Sequence, residues 1–286
     1  MKTHPRAHVA SLVLTVAAWT SPALAQLSPP NAAGVAMGHL HYRVRDVDAN
    51  KRFWIALGGK PVMVAGIDAV TLADVIVLLE RGDSSGGTEG SVVNHVAFRV
   101  PSFTAVESAG LKVARLDGFP GVGNTMTPEG ERIELFEDAA TNLTFAPDAG
   151  QSGPGSDRHN RPVGKPIAFH HIHLYVPEGK AVDAKAWYAR MFGGVAGKRS
   201  NYDAVDLPGV NFNFSGNARP GVPTKGRMLD HIGLEVAHLD AFCRRLESMG
   251  VTFDERYSRG QDGIARARFT DPWGTSIELT EGLAKF

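Results

Sequence analysis

Histidine opens one short pattern four times. His39-Leu-His-Tyr-Arg-Val44, His95-Val-Ala-Phe-Arg-Val100, His171-Ile-His-Leu-Tyr-Val176 and His231-Ile-Gly-Leu-Glu-Val236 all read His-apolar-x-x-x-Val. Glutamate closes a second pattern twice: Pro-x-Gly-x-x-Ile-Glu-Leu runs from Pro128 to Leu135 and again from Pro272 to Leu279. Imidazole and carboxylate are the donors that divalent transition metals take. A repeat that returns histidine at strand starts and glutamate at strand ends is therefore placing metal ligands. His41 and His173 lie two residues beyond their leading histidines, hence on the same face of a strand. They are candidates for proton transfer, substrate contact or orientation of a ligand. A solvated lining histidine is the equal alternative. His170 has the opposite parity and is expected to be structural, and Cys243, between Leu239 and Leu246 at helical spacing, reads as buried packing.

The elements that must carry these residues repeat with them. Each histidine-led strand is followed by a helix that stops at glycine: Asp48 to Leu57 before Gly58-Gly59, Asp183 to Phe192 before Gly193-Gly194, and shorter helices before Gly110 and Gly250. Glycine just past a helix takes the left-handed conformation that satisfies the last carbonyls. Short β-like runs follow, such as Ala69 to Glu80 and Arg266 to Thr280. The unit is βαβββ, and four are visible, at 36–82, 91–138, 167–216 and 228–282. The first and third share His-x-His and an aromatic helix; the second and fourth share the shorter helix and the glutamate ending. That A-B-A-B order predicts two domains, 36–140 and 167–286, joined by a Gly-, Pro- and Ser-rich linker over 141–166.

Composition narrows the function classes. Lys plus Arg equals Asp plus Glu at 30 each, which argues against nucleic acid or an anionic membrane surface as partner. A small-molecule substrate is the expected partner, and a homo-oligomer is left open. The N-terminus carries Lys2, His4 and Arg6, an apolar stretch from Val9 to Trp19, and Ala23-Leu24-Ala25. Residues 1–25 thus read as a secretory signal peptide, with a periplasmic or secreted mature chain. With one cysteine, no intramolecular disulfide exists.

The four strand starts, the Phe53-Trp54…Leu57-Gly58-Gly59 helix end and Asp271-Pro272-Trp273-Gly274…Ile277-Glu278-Leu279 resemble the vicinal oxygen chelate superfamily. That group holds glyoxalase I, extradiol dioxygenases and fosfomycin- and bleomycin-resistance proteins. The resemblance implies an α+β fold in which four βαβββ modules pair into two cup-shaped barrels, each with a central metal. It places His171, His231 and Glu278 as a two-histidine, one-carboxylate site in the second half, and His39, His95 and Glu134 as its counterpart in the first. Such a set suits Fe(II), Mn(II), Zn(II) or Ni(II) and leaves open positions for a chelating substrate. Glu80 is a candidate fourth ligand, although a one-residue slip would turn it to the other face. The matching run Val210-Asn-Phe-Asn-Phe214 offers only Asn211 and Asn213.

One departure ranks the chemistries. Extradiol enzymes place a histidine and a tyrosine upstream of the Pro-x-Gly motif, whereas Gly260 to Phe269 has neither, and Arg268 stands where the tyrosine is expected. The first expectation is therefore a metal-dependent enzyme of isomerase or lyase type, acting on adjacent substrate oxygens through an enolate-like intermediate. His173 is its candidate base, and Arg268 is a candidate anion contact. Ring cleavage comes second, and a non-catalytic sequestering protein third. N-terminal sequencing of protein from a periplasmic extract is expected to start at or near Gln26; a retained Met1 in a cytosolic fraction would exclude the leader.

Overall fold

The computed structural model describes residues 27–138, 140, 144–151, 163–219 and 221–286. The expected leader and the middle of the expected linker, 152–162 with His159, lie outside the described residues. All four modules form as βαβββ units. The first comprises β1 (Val35–Val44), α1 (Val47–Ala56), β2 (Lys60–Val64), β3 (Ile67–Leu72) and β4 (Val75–Arg81). The second comprises β5 (Val93–Val100), α2 (Phe103–Ser108), β6 (Ala114–Arg115), β7 (Val122–Met126) and β8 (Arg132–Glu137). After the short β9 (Phe145–Pro147), the third holds β10 (Ala168–Pro177), α3 (Ala181–Phe192), β11 (Val195–Arg199), β12 (Tyr202–Leu207) and β13 (Val210–Asn217). The fourth holds β14 (Leu229–Val236), α4 (Leu239–Ser248), β15 (Phe253–Arg259), β16 (Ala265–Thr270) and β17 (Ser276–Glu281). No helix among the described residues is long and apolar enough to cross a membrane.

Local chemistry sets the helix limits. Asp46 caps α1 by accepting from the Ala49 amide at 2.9 Å, supplying a partner to an otherwise orphaned donor. α3 ends where Gly193 takes φ 67°, a conformation that costs glycine little. The Asp-Pro-Trp-Gly turn before β17 is built round buried Asp271, which accepts from the amides of Trp273 and Thr275 at 2.9 and 2.7 Å and from the Tyr188 hydroxyl at 2.7 Å. That last bond ties α3 of the third module to the fourth.

The modules do not pair in the order expected. Sheet one runs β15-β16-β17-β14-β1-β4-β3-β2, and sheet two runs β6-β7-β8-β5-β10-β13-β12-β11-β9. The first module therefore shares a sheet with the fourth, and the second with the third. Division into halves at 36–140 and 167–286 describes the repeat in the chain but not the assembly of either sheet. The reason is that every A-type leading strand offers the same edge to every B-type one, so the repeat pattern fits either pairing. Both sheets are open arrays in the strand order observed, not closed barrels. The expected linker also begins late, because Phe145–Pro147 adds to the edge of sheet two beside β11.

Strand parity separates two faces. Leu40, Tyr42, Val44, Val77 and Leu79 join one continuous core with Phe98, Leu174, Phe212 and Leu234 from both sheets. The helices fill the space between the sheets: Trp54 of α1 lies 5.5 Å from Phe98 of sheet two, and Trp187 of α3 lies 6.3 Å from Phe269 of sheet one. The opposite parity in sheet one, His39, His41, Arg43, Leu78 and Glu80, lines a cavity of about 550 Å³.

Because each sheet needs a module from each half, residues 27–151 and 163–286 produced separately are expected to lack a cooperative melt. Produced together, they are expected to co-purify and melt as one unit. Two separately monomeric, cooperatively melting halves would overturn this pairing.

Candidate metal centres in two cups

In sheet one the antiparallel β1–β14 pair sets His41 opposite His231 and His39 opposite Gly233. On either flank a parallel neighbour contributes a carboxylate: Glu80 of β4 lies across from Arg43, and Glu278 of β17 across from Gly233. Four strands thus deliver five donor residues to one spot. The nearest nitrogens of His39, His41 and His231 lie within 4.8 Å of one another. Glu278 Oε2 is 3.1 Å from His39 Nε2 and 3.7 Å from His231 Nε2, and Glu80 Oε2 is 3.0 Å from His41 Nε2. Gly233 makes the cluster geometrically feasible, since a Cβ there would sit 2.0 Å from the His39 ring.

Electrostatics prepares these groups as ligands. Asp230 accepts from His231 Nδ1 at 2.7 Å, which fixes the ring with Nε2 turned into the cluster, on the side of Glu278. Burial would raise Asp230, but the bonds from His231 and the Gly226 amide hold it at about 2. Burial would lower His231, yet its contacts with Asp230 and Glu278 raise it. Glu278 is likewise opposed by burial and nonetheless held well below the carboxylate range by His231 and His39. His41 is pushed down to about 3 by burial and by its neighbours His231 and His39. His39 is lowered by burial, with Glu278 offsetting part of it. Fully buried His39 has no aligned hydrogen bond at either ring nitrogen, a state that coordination to a cation relieves. Two carboxylates and three imidazoles therefore fit a borderline divalent metal.

Sheet two repeats the construction. The β10–β5 pair sets His173 opposite His95 and His171 opposite Ala97, with Glu134 of β8 across from Ala97. His95, His171 and His173 form the second group of clustered imidazoles, and Glu134 Oε2 lies 3.2 Å from His95 Nε2 and 3.5 Å from His171 Nε2. The cups differ at matched register positions. Glu80 becomes Ser215, which lies 2.8 Å from His173 Nε2. Asp230 becomes Asn94, whose Oδ1 lies 2.7 Å from His95 Nδ1. Burial, with His95 and the cations Arg199 and Arg132 nearby, holds His173 well below its usual value. Asn213 Oδ1 accepts from Arg199 at 3.4 Å, whereas Asn211 donates through Nδ2 to Asp206 at 3.3 Å and keeps a buried Oδ1 without a hydrogen-bond partner.

Several expectations change. His171 does not join His231 and Glu278; it lies with His95 and Glu134 in cup two, and His39 takes its place in cup one. The cause is the module pairing, which exchanges the leading histidines of the A-type strands. His173 likewise lies apart from Glu278, and His41 holds the matching position in cup one. Arg268 faces cup one, but its Nη2 donates to Glu278 Oε1 at 3.1 Å and its Nη1 lies 3.8 Å from Asp230. It orients ligand carboxylates instead of standing free for substrate. His170 packs against the site, 2.9 Å from His171 Nδ1, because β10 has a register irregularity between Phe169 and His171. Asp230 and Asn94 were missed, although each immediately precedes a B-type histidine.

Residues 168–279 match the sequence model of the Glyoxalase/Bleomycin resistance protein/Dioxygenase superfamily. Among curated proteins none matches. Glyoxalase I from Zea mays superposes with a TM-score of 0.60 at 14% identity, covering 88% of this chain and 94% of that one. A putative dioxygenase from Bacillus subtilis subsp. subtilis str. 168 superposes with a TM-score of 0.58 at 13% identity, covering 91% and 88%. The fold is that of the glyoxalase superfamily. At these identities the likeness establishes architecture alone, and it spans both halves, whereas the sequence match falls in the second. Within this glyoxalase-superfamily fold, the described residues provide two histidine groups able to hold a metal.

Elemental analysis of reloaded protein is expected to give one ion fewer for His231→Ala or Glu278→Ala, and one fewer again when Glu134→Ala is added. Asp230→Asn is expected to weaken cup one's affinity by about 10- to 100-fold. Unchanged stoichiometry in the His231→Ala/Glu278→Ala double variant, with an unaltered melt, would exclude the cup-one site.

Proposed function

We propose that the protein is an exported, metal-dependent enzyme acting on a small substrate with adjacent oxygens, with its reaction in cup one and of isomerase or lyase type. The observation that carries this reading is the convergence of His39, His41, His231, Glu80 and Glu278 on one cavity of about 550 Å³. His39, His231 and Glu278 are the deeper donors and would hold the ion. A divalent ion there supplies Lewis acidity, polarising the substrate oxygens. Export rests on the leader-like N-terminus alone.

The chain's own groups divide the remaining work. Asp230 and Arg268 hold His231 and Glu278 in their ligand orientations. His41 is neutral at physiological pH, so its ring can relay a proton, and its Nε2 faces Glu80 Oε2 at 3.0 Å. Glu80 stands at the mouth, with its side chain 54% exposed, and can take a proton from a carbon beside the substrate oxygens and return it to the neighbouring carbon. With the substrate's hydroxyl proton passing by way of His41 to the former carbonyl oxygen, that transfer balances as an isomerisation and consumes no oxidant. Leu78 and Val64 wall the cavity against bulk water on one side. At the position matched to Glu80, cup two carries Ser215, which favours cup one for the proton transfer.

Anaerobic turnover of 2-oxoaldehyde–thiol adducts and sugar-like enols under Zn(II), Ni(II) or Mn(II) is the direct test, set beside oxygen uptake with catechols under Fe(II). Glu80→Gln is expected to lower kcat by about 100-fold or more with metal content unchanged. Rapid oxygen consumption with a yellow ring-cleaved product would instead establish the dioxygenase reading. Tight ligand binding to metal-free protein without turnover would establish sequestration.

A further inference from the structure

The two cups have the same strands and the same histidines but opposite mouths. In sheet one Arg43 lies across from Glu80, Arg266 across from Thr280 and Arg268 across from Glu278. The corresponding pairs of sheet two are Tyr175 with Ser215, Val122 with Phe136 and Asn124 with Glu134. Every arginine of cup one is thus replaced by an aromatic, apolar or neutral residue in cup two. Tyr175 and Tyr202 pack edge-on around His173 there, at 5.2 and 4.7 Å. Cup two has arginines of its own, but they stand at other positions and are engaged: Arg132 Nη2 lies 3.0 Å from His95 Nδ1, and Arg199 lies 2.6 Å from His170 Nε2 and donates to Asn213 Oδ1 at 3.4 Å. Cations at these matched mouth positions are therefore a feature of cup one.

Cup one's cations are not equally available. Arg266 is taken by Asp262, 2.8 Å away, and Arg268 by Glu278. Arg43 and Lys225 also line the cavity, and among the described residues neither has a carboxylate partner. Arg43 Nε is buried without a hydrogen-bond partner. Its guanidinium lies against Gly82, where an added Cβ would stand 3.0 Å from Nη2, so the head group has little freedom. The Arg43 amide donates to Met228 O at 2.8 Å, which brings the turn bearing exposed Lys225 beside the β1 rim. A guanidinium and an ammonium at one rim, both unpaired, recognise an anion. Val64, Ile67, Leu78 and Leu283 form the apolar wall of the same cavity.

We propose that cup one takes a small organic anion, its carboxylate or phosphate held between Arg43 and Lys225, its apolar part against the Val64–Ile67 side, and its paired oxygens at the histidine–glutamate cluster. The chemical class is an acid that carries two chelating oxygens at one end and a separate anionic group at the other. This inference rests on the metal reading for the chelating end; the anionic end stands on Arg43 and Lys225 alone.

Hydroxamates present two adjacent oxygens and can be matched in length, so they test the charge preference directly. The full chain loaded with Zn(II) is titrated by calorimetry with succinomonohydroxamate, its neutral homologue butanohydroxamate and its cationic analogue 4-aminobutanohydroxamate. The acid is expected to bind about tenfold tighter than the neutral compound, the cation weakest, and the gap is expected to shrink with added salt. Arg43→Met/Lys225→Met is expected to bring acid and neutral compound within about twofold, leaving metal content and the neutral compound's affinity unchanged. Lys225→Met alone, on an exposed turn, gives part of that loss in a protein whose fold is not in question. A 3-phosphonopropanohydroxamate arm distinguishes the source: tighter than the carboxylate indicates a phosphorylated substrate, weaker a carboxylic acid. Equal affinities for acid and neutral compound with metal bound, or a preference that survives the double variant, would overturn the inference. Failure of the metal reading is seen separately, as absent metal uptake, and in that case chelator-stripped protein is still expected to be protected from thermal unfolding by the acid more than by the neutral compound.

Discussion

Both cups depend on one antiparallel seam. Where β1 meets β14 and β10 meets β5, the register places His41 against His231 and His173 against His95. Directly opposed residues of an antiparallel pair bring their Cβ atoms to within about 5 Å, close enough for two imidazoles to share an ion. A one-residue slip would turn the entire histidine set toward the helices. The register is held by what lies on the other face, because Leu40, Tyr42, Leu174 and Leu234 are locked into the shared core. Both seams carry irregularities at matched places, between Met37 and His39 and between Phe169 and His171. In the first, Gly38 is required, since a Cβ there would stand 2.9 Å from the Glu235 amide.

Burying several imidazoles beside carboxylates is costly unless their polar atoms are satisfied. In cup one the carboxylates of Asp230, Glu278 and Glu80 compensate for that cost and raise the local attraction for a divalent cation. Attraction between close charges grows as the surroundings lose water, so the nearly enclosed His39–Glu278 contact carries more weight than the exposed Glu80 contact. Arg268 moderates the anionic character by sharing Glu278 Oε1 while leaving Oε2 toward the histidines. In cup two, Asn94 and Ser215 stand where cup one has Asp230 and Glu80, so the same three histidines face a weaker negative field.

The shared core explains why the sheets are interdependent. α1 reaches from the first module to Phe98 of sheet two, and α3 from the third to Phe269 of sheet one. Each helix thereby buries apolar area against the sheet it does not belong to, and the Tyr188–Asp271 bond adds a polar tie of the same kind. Such packing favours a single cooperative unit over two independent halves.

The sequence alone determined the unit and most of its chemistry. Period-2 alternation, glycine-ended helices and the recurring His and Glu fix a βαβββ module because these signals act within a few residues of one another. They identified His39, His95, His171, His231, Glu134 and Glu278 as donors, and the A-B-A-B order followed from them. Only the tertiary structure decided which donors meet. Pairing of the first module with the fourth depends on long-range contacts between strand edges that are alike in local pattern, so His171 and His39 exchanged places relative to the order in the chain. The side of Glu80 was undecidable from a run as uniformly apolar as Val75 to Leu79; parallel pairing with β1 turned it into the cup. Arg268 read as a free anion contact because its type and position were visible, but its partners Glu278 and Asp230 come from neighbouring strands, and that proximity exists only once the sheet has formed.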